Sequence, residues 1–103
     1  LDLKENRLSG SIADVVGDMT SLLVFIVENN QFTGTIPSTF GQLTDARQLN
    51  LSQNRLSGSI PSEIASMSSL QALWLNDNLL TGTIPSELGQ LSNVRSIYLV
   101  SSW

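Results

Sequence analysis

Twelve residues recur along this chain at a fixed interval, and that interval constrains the fold class before any single residue is weighed. The segments LDLKENRLSGSI from Leu1, FIVENNQFTGTI from Phe25, LNLSQNRLSGSI from Leu49 and LWLNDNLLTGTI from Leu73 start 24 residues apart, and IYLVSSW opens a further copy at Ile97. A repeat of this length is one small unit that cannot bury its apolar face alone and must be covered by its neighbours in a stack. The 103 residues thus divide into units 1–24, 25–48, 49–72 and 73–96 and a partial unit 97–103, with no linker or second domain.

Aligning the copies shows what each position has to do. Position one is Leu1, Phe25, Leu49, Leu73 and Ile97, and position three is Leu3, Val27, Leu51, Leu75 and Leu99, with a variable residue between them. This period of two predicts a short, half-buried strand. Position six is Asn in all four full units, Asn6, Asn30, Asn54 and Asn78, amid apolar columns. An unpaired amide there would cost a few kcal/mol, so each Asn is expected to bond backbone groups of its own and the next turn, as a ladder along the stack. Gly10, Gly34, Gly58 and Gly82 fit a turn with positive φ or close backbone approach. In the second half of each unit, Val16, Phe40, Ile64 and Leu88 stand three residues before Met19, Leu43, Met67 and Leu91, the spacing of a short helical or 3₁₀ turn. Pro37, Pro61 and Pro85 suit its start, Ser38, Ser62 and Ser86 beside them are candidate caps, and the SGSI or TGTI tract before them predicts a small flank strand.

The 24-residue units, with LSGSIPSEIASM and LTGTIPSELGQL, resemble the leucine-rich repeat family over the whole chain. They are similar to its plant-type subclass, found in receptor-like kinase ectodomains, receptor-like proteins and polygalacturonase-inhibiting proteins. The resemblance implies an α/β repeat solenoid: a right-handed arc with a parallel sheet on the concave side and short 3₁₀ or irregular segments on the convex side. It also implies an extracellular or cell-surface location. Departures exist: Ala13 stands where other units have Pro, Ala65 where they have Gly17, Gly41 and Gly89, and Ala46 where they have Leu22, Leu70 and Val94. Ala46 predicts a local void that Phe32 and Phe40 could fill. The family's Cys-bearing terminal caps are absent, so the chain is expected to be a fragment of a longer array with frayed or sticky ends.

Composition narrows function by exclusion. Five Lys and Arg against nine Asp and Glu give a net charge of −4, the wrong sign for nucleic acid or an anionic membrane surface. The longest apolar run, Leu22 to Val27, is far shorter than the roughly 20 residues a bilayer span needs, so this segment is expected to make no membrane contact, which leaves room for a transmembrane helix elsewhere in the parent chain. There is no His to act as general base or zinc ligand and no Cys, and no phosphate-binding, nucleophile-elbow or metal-spacing motif occurs. No catalytic residue, cofactor or metal is therefore expected, and any kinase activity would belong to a domain outside this chain.

What remains free is the outward face of the predicted sheet. Its candidate ligand-binding residues are Ile26, Glu28, Asn29, Asn50, Ser52, Gln53, Trp74, Asn76, Asp77 and Tyr98. Trp74 and Tyr98 share a column on adjacent strands and should lie roughly 5 Å apart, either as a ligand contact or as a pair shielding the sheet. Asn50-Leu51-Ser52 is also an acceptor triplet for N-glycosylation. The expected function is recognition of a protein or peptide by part of a receptor-like ectodomain; the alternative is inhibition of a secreted polysaccharide-degrading enzyme, in the manner of polygalacturonase inhibitors. A face of a few hundred Å², against about 800 Å² per partner in a standard interface, implies weak binding or a short peptide ligand.

Overall fold

The computed structural model describes residues 1–12, 16 and 19–99. Ala13, Gly17, Val100 and Trp103 lie outside the described residues, as does most of the partial last unit after Leu99. Among the described residues, eight short strands, β1 (Ser9–Ser11), β2 (Val24–Ile26), β3 (Gln31–Thr33), β4 (Gln48–Asn50), β5 (Ser57–Gly58), β6 (Ala72–Trp74), β7 (Leu79–Leu80) and β8 (Ser96–Tyr98), are interspersed with three 3₁₀ turns, η1 (Ser38–Gln42), η2 (Ser62–Ser66) and η3 (Ser86–Gln90). The main sheet is parallel with order β2-β4-β6-β8, and Asp2 extends it by a bridge to Ile26. Smaller parallel pairs, β1-β3 and β5-β7, form the expected flank strands.

Strand formation follows the period-two pattern, but each main strand starts one residue earlier than position one. The ladder also continues past it: Val27, Leu51 and Leu75 donate to the carbonyls of Asn50, Trp74 and Tyr98 at 2.9, 2.9 and 2.8 Å. Phe25, Leu49 and Leu73 lie wholly inside, in register with one another, and join Val27, Leu51, Leu56, Ile64, Met67, Leu70 and Leu75 in a single core running through the stack.

The asparagines hold successive turns together. Asn54 donates through Nδ2 to the carbonyls of Leu51 and Ser52 in its own turn, at 3.1 and 3.0 Å, and of Val27 in the preceding turn, at 3.0 Å. Its Oδ1 accepts the Phe32 N–H at 3.1 Å. Asn30 and Asn78 repeat the arrangement with Leu3, Val27 and Leu8, and with Leu51, Leu75 and Leu56. The expected ladder is present, but it reaches back to the preceding turn rather than forward. The direction follows from the sheet, which sets each Asn beneath the carbonyl of position three one unit earlier. Among the described residues the Asn6 side chain bonds within its own turn, to the carbonyls of Leu3 and Lys4, and is exposed.

The 3₁₀ turns correct one expectation. Pro37, Pro61 and Pro85 occupy the N-cap position in extended conformation, and no side chain caps the turn. Ser38, Ser62 and Ser86 come one residue later, already inside it. The proline carbonyls instead accept the first i to i+3 bonds, from Phe40, Ile64 and Leu88, each at 3.2 Å. The turn that contains buried Ala46 also contains all three phenylalanines; it is Phe25 that packs on Phe40, with ring centroids 5.9 Å apart, while Phe32 is buried as well. Two of the apolar columns each lose cover at one end: Leu8 is 38% exposed in the first turn and Ile84 48% in the fourth, against 0% at Leu56 and 3% at Ile60, while Ile12 and Leu80 stay buried.

Two contrasts test this arrangement. Asn54→Ala strands three carbonyls and one amide in the interior and should lose at least about 3 kcal/mol, whereas exposed Asn6→Ala should lose less than about 1 kcal/mol, both read from urea denaturation. A Cβ added at Gly41 would stand 2.8 Å from the Glu63 carbonyl oxygen, because η1 and η2 pack backbone to backbone there, while nothing lies within 4 Å of one added at Gly89. Gly41→Ala should cost about 1 to 3 kcal/mol. Gly89→Ala should be neutral or stabilise by up to about 1 kcal/mol.

Candidate functional site

Alternation along the main strands turns Phe25, Leu49 and Leu73 inward and presents Ile26, Asn50, Trp74 and Tyr98 on the opposite face, in one row across β2, β4, β6 and β8. Two residues further along lies a second row, Glu28, Ser52 and Asn76. The expected aromatic pair is present: Trp74 and Tyr98 stack with centroids 5.5 Å apart and planes within 8°. Trp74 is half-buried and Tyr98 is 44% exposed. Stacking of this kind contributes about 0.5–1.5 kcal/mol beyond area burial and holds both rings upright.

The middle of the face departs from expectation. Asn50 and Ser52 were to stand open on the sheet, yet they are only 9% and 3% exposed. The Asn50 Oδ1 accepts from the Ser52 backbone N–H at 3.1 Å and from its hydroxyl at 2.6 Å. Its Nδ2 donates to Glu28 Oε2 at 3.4 Å, so the pair forms a recessed floor with its polar atoms engaged and the Glu28 carboxylate drawn toward β4.

Position five is also constrained. Glu5, Asn29, Gln53 and Asp77 adopt left-handed backbone with φ between 57° and 59°. This carries their exposed side chains to a rim beyond the strands while the backbone N–H groups of Asn29 and Gln53 donate to the carbonyls of Ser52 and Asn76. Non-glycine residues occupy this region at some cost, least for Asn and Asp. The signal was in the sequence: the column is wholly polar and contains no β-branched residue.

Asn76 donates to Asp77 Oδ2 at 2.9 Å, but its Oδ1 is shut off from solvent without a hydrogen-bond partner. The face is otherwise an open one: among the described residues there is no enclosed pocket, no group of three carboxylate, His or Cys side chains able to hold a metal, and no helix long and apolar enough to cross a membrane. Glu28 and Asp77 follow different strands, β2 and β6, without a shared cavity, so the geometry offers hydrogen bonding, charge and aromatic surface.

Two measurements follow. Asn76→Val removes the orphaned acceptor, worth about 1–3 kcal/mol, and one exposed hydrogen bond, so it should leave urea stability unchanged or raised. With Asn50 recessed and its Nδ2 bonded to Glu28, a glycan on that nitrogen would disturb the floor of the face, so chain glycosylated there in a secreting host should unfold at lower urea than unmodified chain.

The Leucine Rich Repeat family profile matches residues 21–43, 46–67 and 69–91, well over half of the chain. No curated protein matches it. Solved structures do. The ectodomain of the Arabidopsis thaliana membrane receptor kinase GASSHO1/SCHENGEN3, in complex with CASPARIAN STRIP INTEGRITY FACTOR 2, is 40% identical with a TM-score of 0.89 over 94% of this chain. The Arabidopsis receptor kinase HAESA, in complex with the peptide hormone IDA and the co-receptor SERK1, is 38% identical with a TM-score of 0.91 over 96%. The ectodomain of BIR2 from Arabidopsis thaliana is 34% identical with a TM-score of 0.88 over 93%. The chain spans 12%, 17% and 50% of those three chains. The repeat, the asparagine ladder, the parallel main sheet with its 3₁₀ turns and these matches agree: the chain belongs to the leucine-rich repeat family.

Proposed function

We propose that the chain is a recognition segment of a receptor-like ectodomain at the cell surface, and that it holds an extended peptide or a protein loop against its main sheet without catalysing a reaction. The observation that carries this reading is the Trp74–Tyr98 stack, a large, rigid aromatic surface at the outer face of the sheet, where the core has no need of it. Aromatic side chains with polar tips are the residue types that dominate binding hot spots. Around them the face offers Gln48, Asn76, Glu28 and, on the rim, Asn29, Gln53 and Asp77. The structural relatives lend support, since the receptor kinase HAESA was solved with a peptide hormone and the GASSHO1/SCHENGEN3 ectodomain with CASPARIAN STRIP INTEGRITY FACTOR 2.

The reading is tested by panning a displayed library of random linear heptapeptides on the 103-residue chain and re-measuring each selected clone on Trp74→Ser. Clones whose binding falls at least about tenfold are expected, the loss of one aromatic anchor. Selection only of clones indifferent to Trp74, Tyr98 and Glu28 substitutions would contradict it.

A further inference from the structure

The row Ile26–Asn50–Trp74–Tyr98 is uneven. Tyr98 covers one face of the Trp74 indole. The other face turns toward β4, where the row carries the short side chain of Asn50, folded down onto Ser52. An indole reaches further from a sheet than an amide, so the upper part of its other face borders a shallow, unenclosed slot over the covered Asn50, with Ile26 next in the row. The backbones of β2 and β6 lie two strand spacings apart there, about 10 Å. Glu28 borders the same slot from β2, and Asn50 holds its carboxylate toward the centre.

Glu28 and Asp77 are the charged residues of β2, β4, β6 and β8 and of the positions that continue them; in the first turn, beside Glu28, the same rows carry Asp2 and Lys4 and the rim carries Glu5. The nearest cation, Lys4, pairs with Asp2 at 4.0 Å. An aromatic face on one wall, a positioned carboxylate on the other and an amide floor with its polar atoms engaged select a flat cation. Resting on the receptor reading above, we infer that this slot takes the guanidinium of an arginine in the peptide ligand, stacked on the free face of Trp74 and donating to the carboxylate of Glu28. Arginine suits it better than lysine, because the guanidinium is planar, weakly hydrated and able to stack and to donate along one edge together.

The capped peptide acetyl-Gly-Ser-Arg-Ser-Gly-amide, and versions with lysine or with neutral, planar citrulline in place of arginine, are titrated into the isotopically labelled chain. The Trp74 indole and Asn50 side-chain amide resonances are followed, with the Trp103 indole as reference. The arginine peptide should shift both saturably and bind about tenfold more tightly than the citrulline peptide, with lysine between them. Glu28→Gln keeps the shape of the side chain and its capacity to accept from Asn50, and should reduce the preference for arginine over citrulline severalfold, to the part contributed by stacking on Trp74. Equal binding of arginine and citrulline peptides, or an unchanged preference in Glu28→Gln, would overturn the assignment. The heptapeptide library separates the two readings: Trp74-dependent clones lacking arginine would leave receptor function standing and remove the slot, whereas absence of any Trp74-dependent clone, with the Trp74 indole unmoved by the arginine peptide, would remove both.

Discussion

The side-chain amide at position six closes each turn of the stack onto the one before it. In Asn54 it satisfies three carbonyls and one N–H that the tight bend after each main strand leaves inside the protein. A parallel sheet made of three-residue strands has too few backbone bonds of its own to fix the spacing of the units. The amide both donates and accepts where the backbone changes course, tying each turn to the one before it, which lets the apolar columns on either side meet in register. The left-handed residue before each Asn is part of the same device, since its φ near 58° turns the chain so that the amide folds beneath the bend. Backbone strain of this kind persists where surrounding bonds over-determine it.

The outer face inherits its order from this frame. Because the units are stacked in strict register, Ile26, Asn50, Trp74 and Tyr98 form a straight row, and Trp74 meets Tyr98 nearly plane to plane. The same register sets Glu28 beside Asn50 and Ser52, whose mutual hydrogen bonds lower the centre of the face. Relief on the surface therefore comes from side-chain length and pairing on a uniform backbone. A family of solenoids can vary recognition in this way without altering its core.

Much of this was legible in the residues. The four Asn, the four Gly with φ between 76° and 97°, the core columns and the Trp74–Tyr98 adjacency follow from period and register alone. The state of Asn50 and Ser52 did not, because hydropathy marks both as surface residues and their burial arises from bonds between a residue, its second neighbour and a carboxylate on the adjoining strand. The serine caps failed for a local reason: proline at the N-cap already offers the carbonyl that a 3₁₀ turn needs, and Ser38, Ser62 and Ser86 are one residue too late to cap it. Position five looked free because its identity varies, although its backbone does not.

The asparagine ladder as the element that unites the turns is tested most directly by native-state amide hydrogen exchange. Phe32 and Leu56 donate to the Oδ1 atoms of Asn54 and Asn78, whereas Val27 and Leu51 donate to main-sheet carbonyls. If the ladder and the sheet open as one cooperative unit, all four amides should exchange with opening free energies within about 1 kcal/mol of one another. Phe32 and Leu56 exchanging orders of magnitude faster than Val27 and Leu51 would show that the asparagines merely decorate a stack held together by its sheet.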